Sequence, residues 1–258
     1  MGSLNETKKY ETIRVKSDDD NCFLTLYRPD ADNTINERMI EECSEVLTVC
    51  EDSVKILVLE GLPDVFCFGA DFRELGGGQG KLQDPGPLFD LWLKLATGPY
   101  VTIAHVRGKV NAGGIGFVAA SDIVICDEKA TFSLSELLFG LMPACVLPFL
   151  IRRIGISKAN YMTLMTQPIS AQLAFSWGLV DVVGENTENL LRKHLLRLRR
   201  LTKIGVAQYK AYMGTLNDFL AASKPGALKA NLDTFSDPEN LRKITRYVIT
   251  GKFPWEQD

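Results

Sequence analysis

Histidine is scarce in this 258-residue chain, which has only His105 and His194, and that excludes a His-rich metal centre. The six cysteines, Cys22, Cys43, Cys50, Cys67, Cys126 and Cys145, make no CxxC pair. Most sit inside apolar runs, which reads as buried reduced thiols of a cytoplasmic protein rather than a disulfide framework. Long apolar runs are missing too: none would cross a bilayer, and the polar stretch Met1 to Lys9 has no signal-like core. Excess positive charge is absent, the formal net charge being −3, which argues against wholesale nucleic-acid binding. The glycine-rich segment from Gly76 to Gly86 lacks a following Gly-Lys-Ser/Thr, so it is read as a mobile loop and not a phosphate cradle. No repeat of fixed period runs through the chain.

What is present suits one large domain with a substantial core. Glu11 to Val15 and Phe23 to Tyr27 read as strands around the turn-forming Asp18-Asp19-Asp20-Asn21. Asn36 is placed to cap a helix in which Met39, Cys43, Val46 and Cys50 recur at helical spacing. Val54 to Leu59 is an apolar run broken only by Lys55, as a strand buried on both faces requires, and Val101 to Val106 and Ile123 to Cys126 are read as further, largely apolar strands. Ala130 to Ser133 reads as a short strand, and Leu88 to Leu95 as helical. Beyond Pro143 the pattern turns helical over 145–154, 157–166, 170–177, 187–203 and 205–222. The expected architecture is an α/β core with a helical C-terminal extension.

Two glycine-bearing turns each follow a buried strand: Phe66-Cys67-Phe68-Gly69-Ala70-Asp71-Phe72 and Asn111-Ala112-Gly113-Gly114. Glycine allows a tight backbone path and close approach by a ligand, and a helix start leaves N–H groups unpaired with partial positive charge. The two turns either aim N–H groups at one oxygen or merely turn the chain. Glu136 is either a surface carboxylate, the usual fate of Glu, or, among Leu134, Leu137, Leu138 and Phe139, one held in apolar surroundings with a raised pKa.

The pairing of FCFGADF with HVRGKVNAGG, together with SLSELLFGLMP, resembles the crotonase (enoyl-CoA hydratase/isomerase) superfamily across nearly the whole chain. The resemblance implies a crotonase fold: a repeated β-β-α spiral core over 1–190 and a helical trimerisation region over 191–258. It implies an oxyanion hole made by the N–H groups of Ala70 and Gly113, with Glu136 as the acid/base. Gly69, Asp71, Asn111 and Gly114 are then expected at the substrate. Asp71 is also read as a turn cap, and Asn111 as either a substrate contact or a backbone partner. The second glutamate of two-carboxylate hydratases falls on Gly116, which has no side chain. His105 is read as a core residue and Cys145 as packing.

Longer stretches, including TGPYVTIAHVRGKVNAGG and GKFPWE, look like the first crotonase of bacterial polyketide β-branching cassettes. That likeness implies an antibiotic-biosynthesis hydro-lyase converting 3-hydroxy-3-methylglutaryl-acyl carrier protein to 3-methylglutaconyl-acyl carrier protein. Alternatives are a Δ3,Δ2-enoyl-CoA isomerase and a non-catalytic carrier-binding scaffold. No resident cofactor is implied, the acyl group being a phosphopantetheine thioester. Implied partners are an acyl carrier protein, the cassette enzymes and further copies in a homotrimer or hexamer, with no nucleic acid and no membrane. Val146, Leu147, Phe149 and Leu150 are expected to supply the apolar contact between copies. On a helix over 190–203, Leu191, Leu195 and Leu198 share one face. Lys193, Arg197 and Arg200 fall opposite, with Arg192, Arg199 and Lys203 beside them, as a stripe for docking an acidic carrier.

Overall fold

The computed structural model describes residues 8–73, 84–216 and 218–256; most of the expected Gly76–Gly86 loop lies outside them. Strands β1 (Ile13–Asp18) and β2 (Asn21–Leu26) form an antiparallel hairpin, a little displaced from the spans read in sequence. Asn36 does cap α1 (Glu37–Ser53), accepting from Met39 N at 3.0 Å, a bond worth about 1 kcal/mol. The three apolar runs become β3 (Ile56–Glu60), β5 (Val101–Val106) and β7 (Ile123–Cys126), parallel neighbours at the centre of a six-stranded sheet.

A second sheet, not foreseen as such, runs beside the first. It is made of β4 (Val65–Cys67), β6 (Lys109–Asn111), β8 (Thr131–Ser133) and β9 (Ile169–Ser170), in that order. Three successive strands of the first sheet are each followed by a short one of the second: β3 by β4, β5 by β6, β7 by β8. Helices α2 (Gly86–Thr97), α3 (Gly113–Ala120) and α4 (Leu147–Ile154) close the successive turns. This is the β-β-α spiral. It brings the starts of the connections after β4, β6 and β8 side by side.

The main sheet is buried on both sides. Leu57, Leu59, Ala104, Val106 and Val124 join the large core with α1, α2 and α3. Ile56, Val58, Ile103 and Ile125 face the other way, against Leu190, Leu191, Leu195 and Leu198 of α7 (Thr187–Leu198). Between them come α5 (Ile156–Met165), α6 (Ala171–Trp177) and the edge strand β10 (Val182–Val183). The chain ends in α8 (Lys203–Leu216), α9 (Phe219–Phe235) and α10 (Pro238–Thr250). The expected helix over 205–222 is thus two helices, and α9 and α10 extend the helical region well past it.

Three expectations need correction. The 190/191 boundary cuts through α7; the last strand ends at Val183, before the helix begins. Val146, Phe149 and Leu150 are buried within this chain's own core, with Leu147 packed on it, so they are spent before any second copy arrives. Exposed apolar side chains lie elsewhere, Ile204, Tyr209, Tyr212, Leu216 and Phe219 of the C-terminal region among them. Lys203 leaves the basic stripe, because its Nζ donates to the carbonyls of Val54 and Pro99 at 2.7 Å each.

Candidate active site

The backbone at Ala70 is held edge-on to Ile35. Ile35 N donates to the Gly69 carbonyl (2.7 Å) and Asp71 N to the Ile35 carbonyl (3.1 Å). Successive amides of an extended chain point to opposite sides, so the N–H of Ala70 is directed away from Ile35. Gly69 makes the turn possible, with φ at +91°, where a side chain would be strained. A Cβ on it would also stand 2.6 Å from the Cβ of Ala112 and 3.4 Å from Gly113 N. The two glycine turns therefore abut.

Gly113 opens α3, so its N–H has no carbonyl within the helix. Ala112, just before it, sits at φ 50° and ψ −122°, a conformation that costs about 1–3 kcal/mol in a residue with a side chain. The Ala112 amide is tied to the Ser133 carbonyl at 3.0 Å. Among the described residues, neither Ala70 N–H nor Gly113 N–H donates to a backbone carbonyl. Both residues line one cavity of about 700 Å³, a size typical of small-molecule sites.

Glu136 lies in the same cavity, at the start of the 3₁₀ turn Glu136–Phe139 that follows β8. It is only 8% exposed, and its Oε2 has no partner among the described residues. Burial pushes its pKa up to about 7, against a smaller pull from the backbone N–H groups of Glu136 and Ser135. A buried carboxyl that titrates near neutrality is suited to taking and returning a proton.

The position expected to carry a second carboxylate is filled from across the core. A Cβ on Gly116 would stand 2.4 Å from Cε2 of Trp92. Trp92, from α2, is 1% exposed and edge-on to Phe117 and Phe149 at 5.9 Å each. The indole takes the room that a longer residue 116 would need.

The polar wall beside Glu136 is continuous. Ser133 Oγ donates to Asn111 Oδ1 (2.8 Å), and Asn111 Nδ2 donates to Ser135 Oγ (2.9 Å). All three line the cavity. Asp71 also borders it, but both its oxygens are engaged. Arg28 Nη2 and Thr34 Oγ1 donate to Oδ2 at 3.0 and 3.1 Å, and Arg73 to Oδ1 at 3.2 Å. Burial alone would raise its pKa; hydrogen bonds from Arg73 and Arg28 outweigh that and hold it below the ordinary value. Asp71 is therefore an anchor for the first turn. Gly69 and Gly114 stand behind the lining, not in it. A Cβ on Gly114 would meet the Cys67 carbonyl oxygen at 2.4 Å, so its part is close packing.

Cys145 borders the cavity, and burial pushes its thiol up to about 12, which leaves it unreactive near neutral pH. His105 is fully buried and outside the cavity, its Nδ1 2.8 Å from Glu60 Oε1. Glu60, His105 and Glu188 come within 4.8 Å of one another, but Arg107 lies 3.6 Å from Glu188 and fills the role of its counter-ion.

Sequence reasoning missed the C-terminal wall. Asn231 and Phe235 of α9, Tyr247 and Val248 of α10, then Gly251 and Phe253 close the cavity. Phe139, Tyr247 and Phe253 pack ring to ring, and Asn240 Nδ2 donates to the Gly140 carbonyl at 3.0 Å. The last helices thus brace the turn that carries Glu136. The sole sequence signal was the aromatic content of the tail, which gives no address. The basic face of α7, by contrast, stands across the main sheet from α1, α2 and α3, and none of its residues lines the cavity.

Known proteins share this chain's sequence and fold. Residues 19–258 match the enoyl-CoA hydratase/isomerase family model. The chain is 60% identical to the bacillaene synthase dehydratase PksH of Bacillus subtilis, over 96% of this chain and 97% of that one. A crystal structure of the Bacillus subtilis polyketide biosynthesis enoyl-CoA hydratase pksH superposes with a TM-score of 0.93, covering 95% of this chain and all of that one. An enoyl-CoA hydratase from Bacillus halodurans, 19% identical, shares the fold with a TM-score of 0.83 over 91% and 99% of the two chains.

Proposed function

The chain belongs to the enoyl-CoA hydratase/isomerase family, and from that membership we propose that it dehydrates 3-hydroxy-3-methylglutaryl-acyl carrier protein to 3-methylglutaconyl-acyl carrier protein in polyketide β-branching. The observation that carries the reading is one buried carboxyl whose pKa is pushed up to about 7, in a cavity with two amides that have no partner among the described residues and an indole in place of a second carboxylate. The 60% identity to a polyketide dehydratase supports the same reaction class.

The thioester oxygen sits between Ala70 N–H and Gly113 N–H. Ionised Glu136 takes a proton from C2, and the electron pair moves into an enolate whose charge rests on that oxygen. Such donors are worth roughly 10²–10³ each in rate. The enolate collapses, C2=C3 forms and the C3–O bond breaks. The leaving oxygen takes the proton from Glu136, so water departs and the carboxylate is restored. One carboxyl serving both steps makes the elimination a same-face process.

The acyl group arrives as a phosphopantetheine thioester on the carrier, and no resident cofactor takes part. The particle is trimer-based, with exposed Ile204, Tyr209, Tyr212, Leu216 and Phe219 between copies. Light scattering at micromolar concentration checks that; a monomer mass contradicts it. Mass spectrometry of the carrier-bound hydroxyacyl substrate tests the reaction. Loss of water is expected. A double-bond shift on an enoyl-CoA with no dehydration would favour the isomerase reading, and binding without turnover a scaffold.

A further inference from the structure

The hydrogen-bond chain beside Glu136 has a direction. Ser133 donates to Asn111 Oδ1, and Asn111 Nδ2 donates to Ser135 Oγ. Ser135 is thus an acceptor within the chain, and its own O–H makes no hydrogen bond among the described residues. A hydroxyl that already accepts is polarised toward donating. Ser135 is half-buried, borders the cavity and directly precedes Glu136. Asn111 is 8% exposed and holds the hydroxyl in place from β6.

We infer that Ser135 Oγ–H is the donor to the 3-oxygen of the substrate, and that Asn111 is its positioning residue. This rests on the dehydratase reading above. The argument is one of placement. Glu136 must reach C2, so the neighbouring side chain meets what is attached next to C2. The nearest electronegative atom there is the oxygen on C3; the distal carboxylate is two carbons further on. The Gly116 side of the cavity offers no carboxylate, because Trp92 fills it; the indole brings there one buried Nε1–H with no partner among the described residues, which belongs to the opposite wall from Glu136. A neutral donor also suits this oxygen better than a second carboxylate would. It stabilises charge building on the leaving group without repelling an anionic substrate. Ser135 does not supply the departing proton, which comes from Glu136.

The test compares two reactions of the same site. One is dehydration of 3-hydroxy-3-methylglutaryl pantetheine. The other is exchange of C2 hydrogen for deuterium in 3-methylglutaryl pantetheine, which lacks the 3-oxygen and needs only Glu136 and the oxyanion hole. Ser135→Ala is expected to lower the ratio of dehydration to exchange by at least tenfold, roughly one charge-assisted hydrogen bond, and Ser135→Thr to recover most of it. Asn111→Leu is expected to lower the same ratio, by less. An unchanged ratio, or a parallel fall in both reactions, overturns the inference. Should the parent exchange C2 hydrogen yet dehydrate nothing, the dehydratase reading falls, and binding then decides the present inference. In the Glu136→Gln background the hydroxylated thioester is expected to bind several-fold tighter than its deoxy analogue, an advantage erased by adding Ser135→Ala. Equal affinities before that change overturn it.

Discussion

The wall around Glu136 and the wall around Trp92 border one cavity and are built in opposite ways. The first is a short turn after β8, with a directed chain of Ser133, Asn111 and Ser135 and a carboxylate oxygen without a partner among the described residues. The second is an indole wedged between Phe117, Phe149 and a residue with no side chain. In the proposed reaction the first wall moves protons, while the second carries no titratable group and presents an indole N–H without a partner among the described residues. The difference teaches that the missing side chain at position 116 is not a vacancy. It is a packed feature, and in the proposed reaction it confines the proton traffic to one side of the substrate.

The comparison breaks most directly at Glu136. Glu136→Gln should cost about 10²–10⁴ in kcat, the usual range for a general base, with the fold retained. Steady-state dehydration with circular dichroism as control measures it; near-normal turnover in a folded variant removes Glu136 from the mechanism.

Next comes the opposite wall. Gly116→Glu must push Trp92 aside and buries a carboxylate with no partner. Overpacking alone costs about 1–3 kcal/mol, so the denaturation midpoint should fall clearly. A midpoint equal to the parent's, or parental hydration of crotonyl thioesters at two-carboxylate rates, would mean that the walls are not as unlike as described.

Sharper still is the pH dependence, where activity and stability move in opposite directions. The base must be ionised, so kcat/KM for dehydration should rise through about pH 7 and then level. The folded protein holds the Glu136 proton up to about 7 while the unfolded chain releases it near 4.5. Between those values the unfolded state binds fewer protons, so stability falls as pH rises. Relative to Glu136→Gln, the parent should be matched below about 4.5 and destabilised above 7, by an amount of order 1–3 kcal/mol. Thermal melts of both proteins across that range check the sign.

The smallest effect is expected from the basic face of α7. Changing Lys193, Arg197 and Arg200 together to Ala touches neither wall, and the helix lies across the sheet from the cavity. The value of kcat/KM should change less than about twofold with pantetheine or carrier substrates, since the long-range field is screened over about 8 Å at physiological salt. A large loss confined to the carrier substrate would restore the docking role read from the sequence.

The parts legible in sequence were those whose signal is local. Val101 to Val106 is mostly apolar, Thr102 and His105 excepted, because both faces of β5 are covered, and Asn36 is a cap because the first helical amides need an acceptor. The glycines at 69 and 113 announced two turns, and the leucines around Glu136 announced its apolar setting. Apart from β8, read over Ala130 to Ser133, the second sheet escaped because its strands are two or three residues long, too short for any alternation to register. Helix α9 escaped because Pro225 stands inside it and argues locally against a helix. Val146, Phe149 and Leu150 were correctly read as apolar, but periodicity says that a face is covered and not by what. Trp92 was invisible for the same reason: its meaning lies in a contact with residue 116, which only the spiral brings together.

That contact has a consequence for how such enzymes change over time. Indole and side chain at 116 exclude one another, so the two positions are not independent. Adding a carboxylate first collides with the ring, and shrinking the ring first leaves a hole in the core. Either order passes through an impaired protein, so the route back to a two-carboxylate enzyme crosses a valley that no single substitution spans. Libraries that vary 92 and 116 together should find functional pairs that scans of each position alone discard.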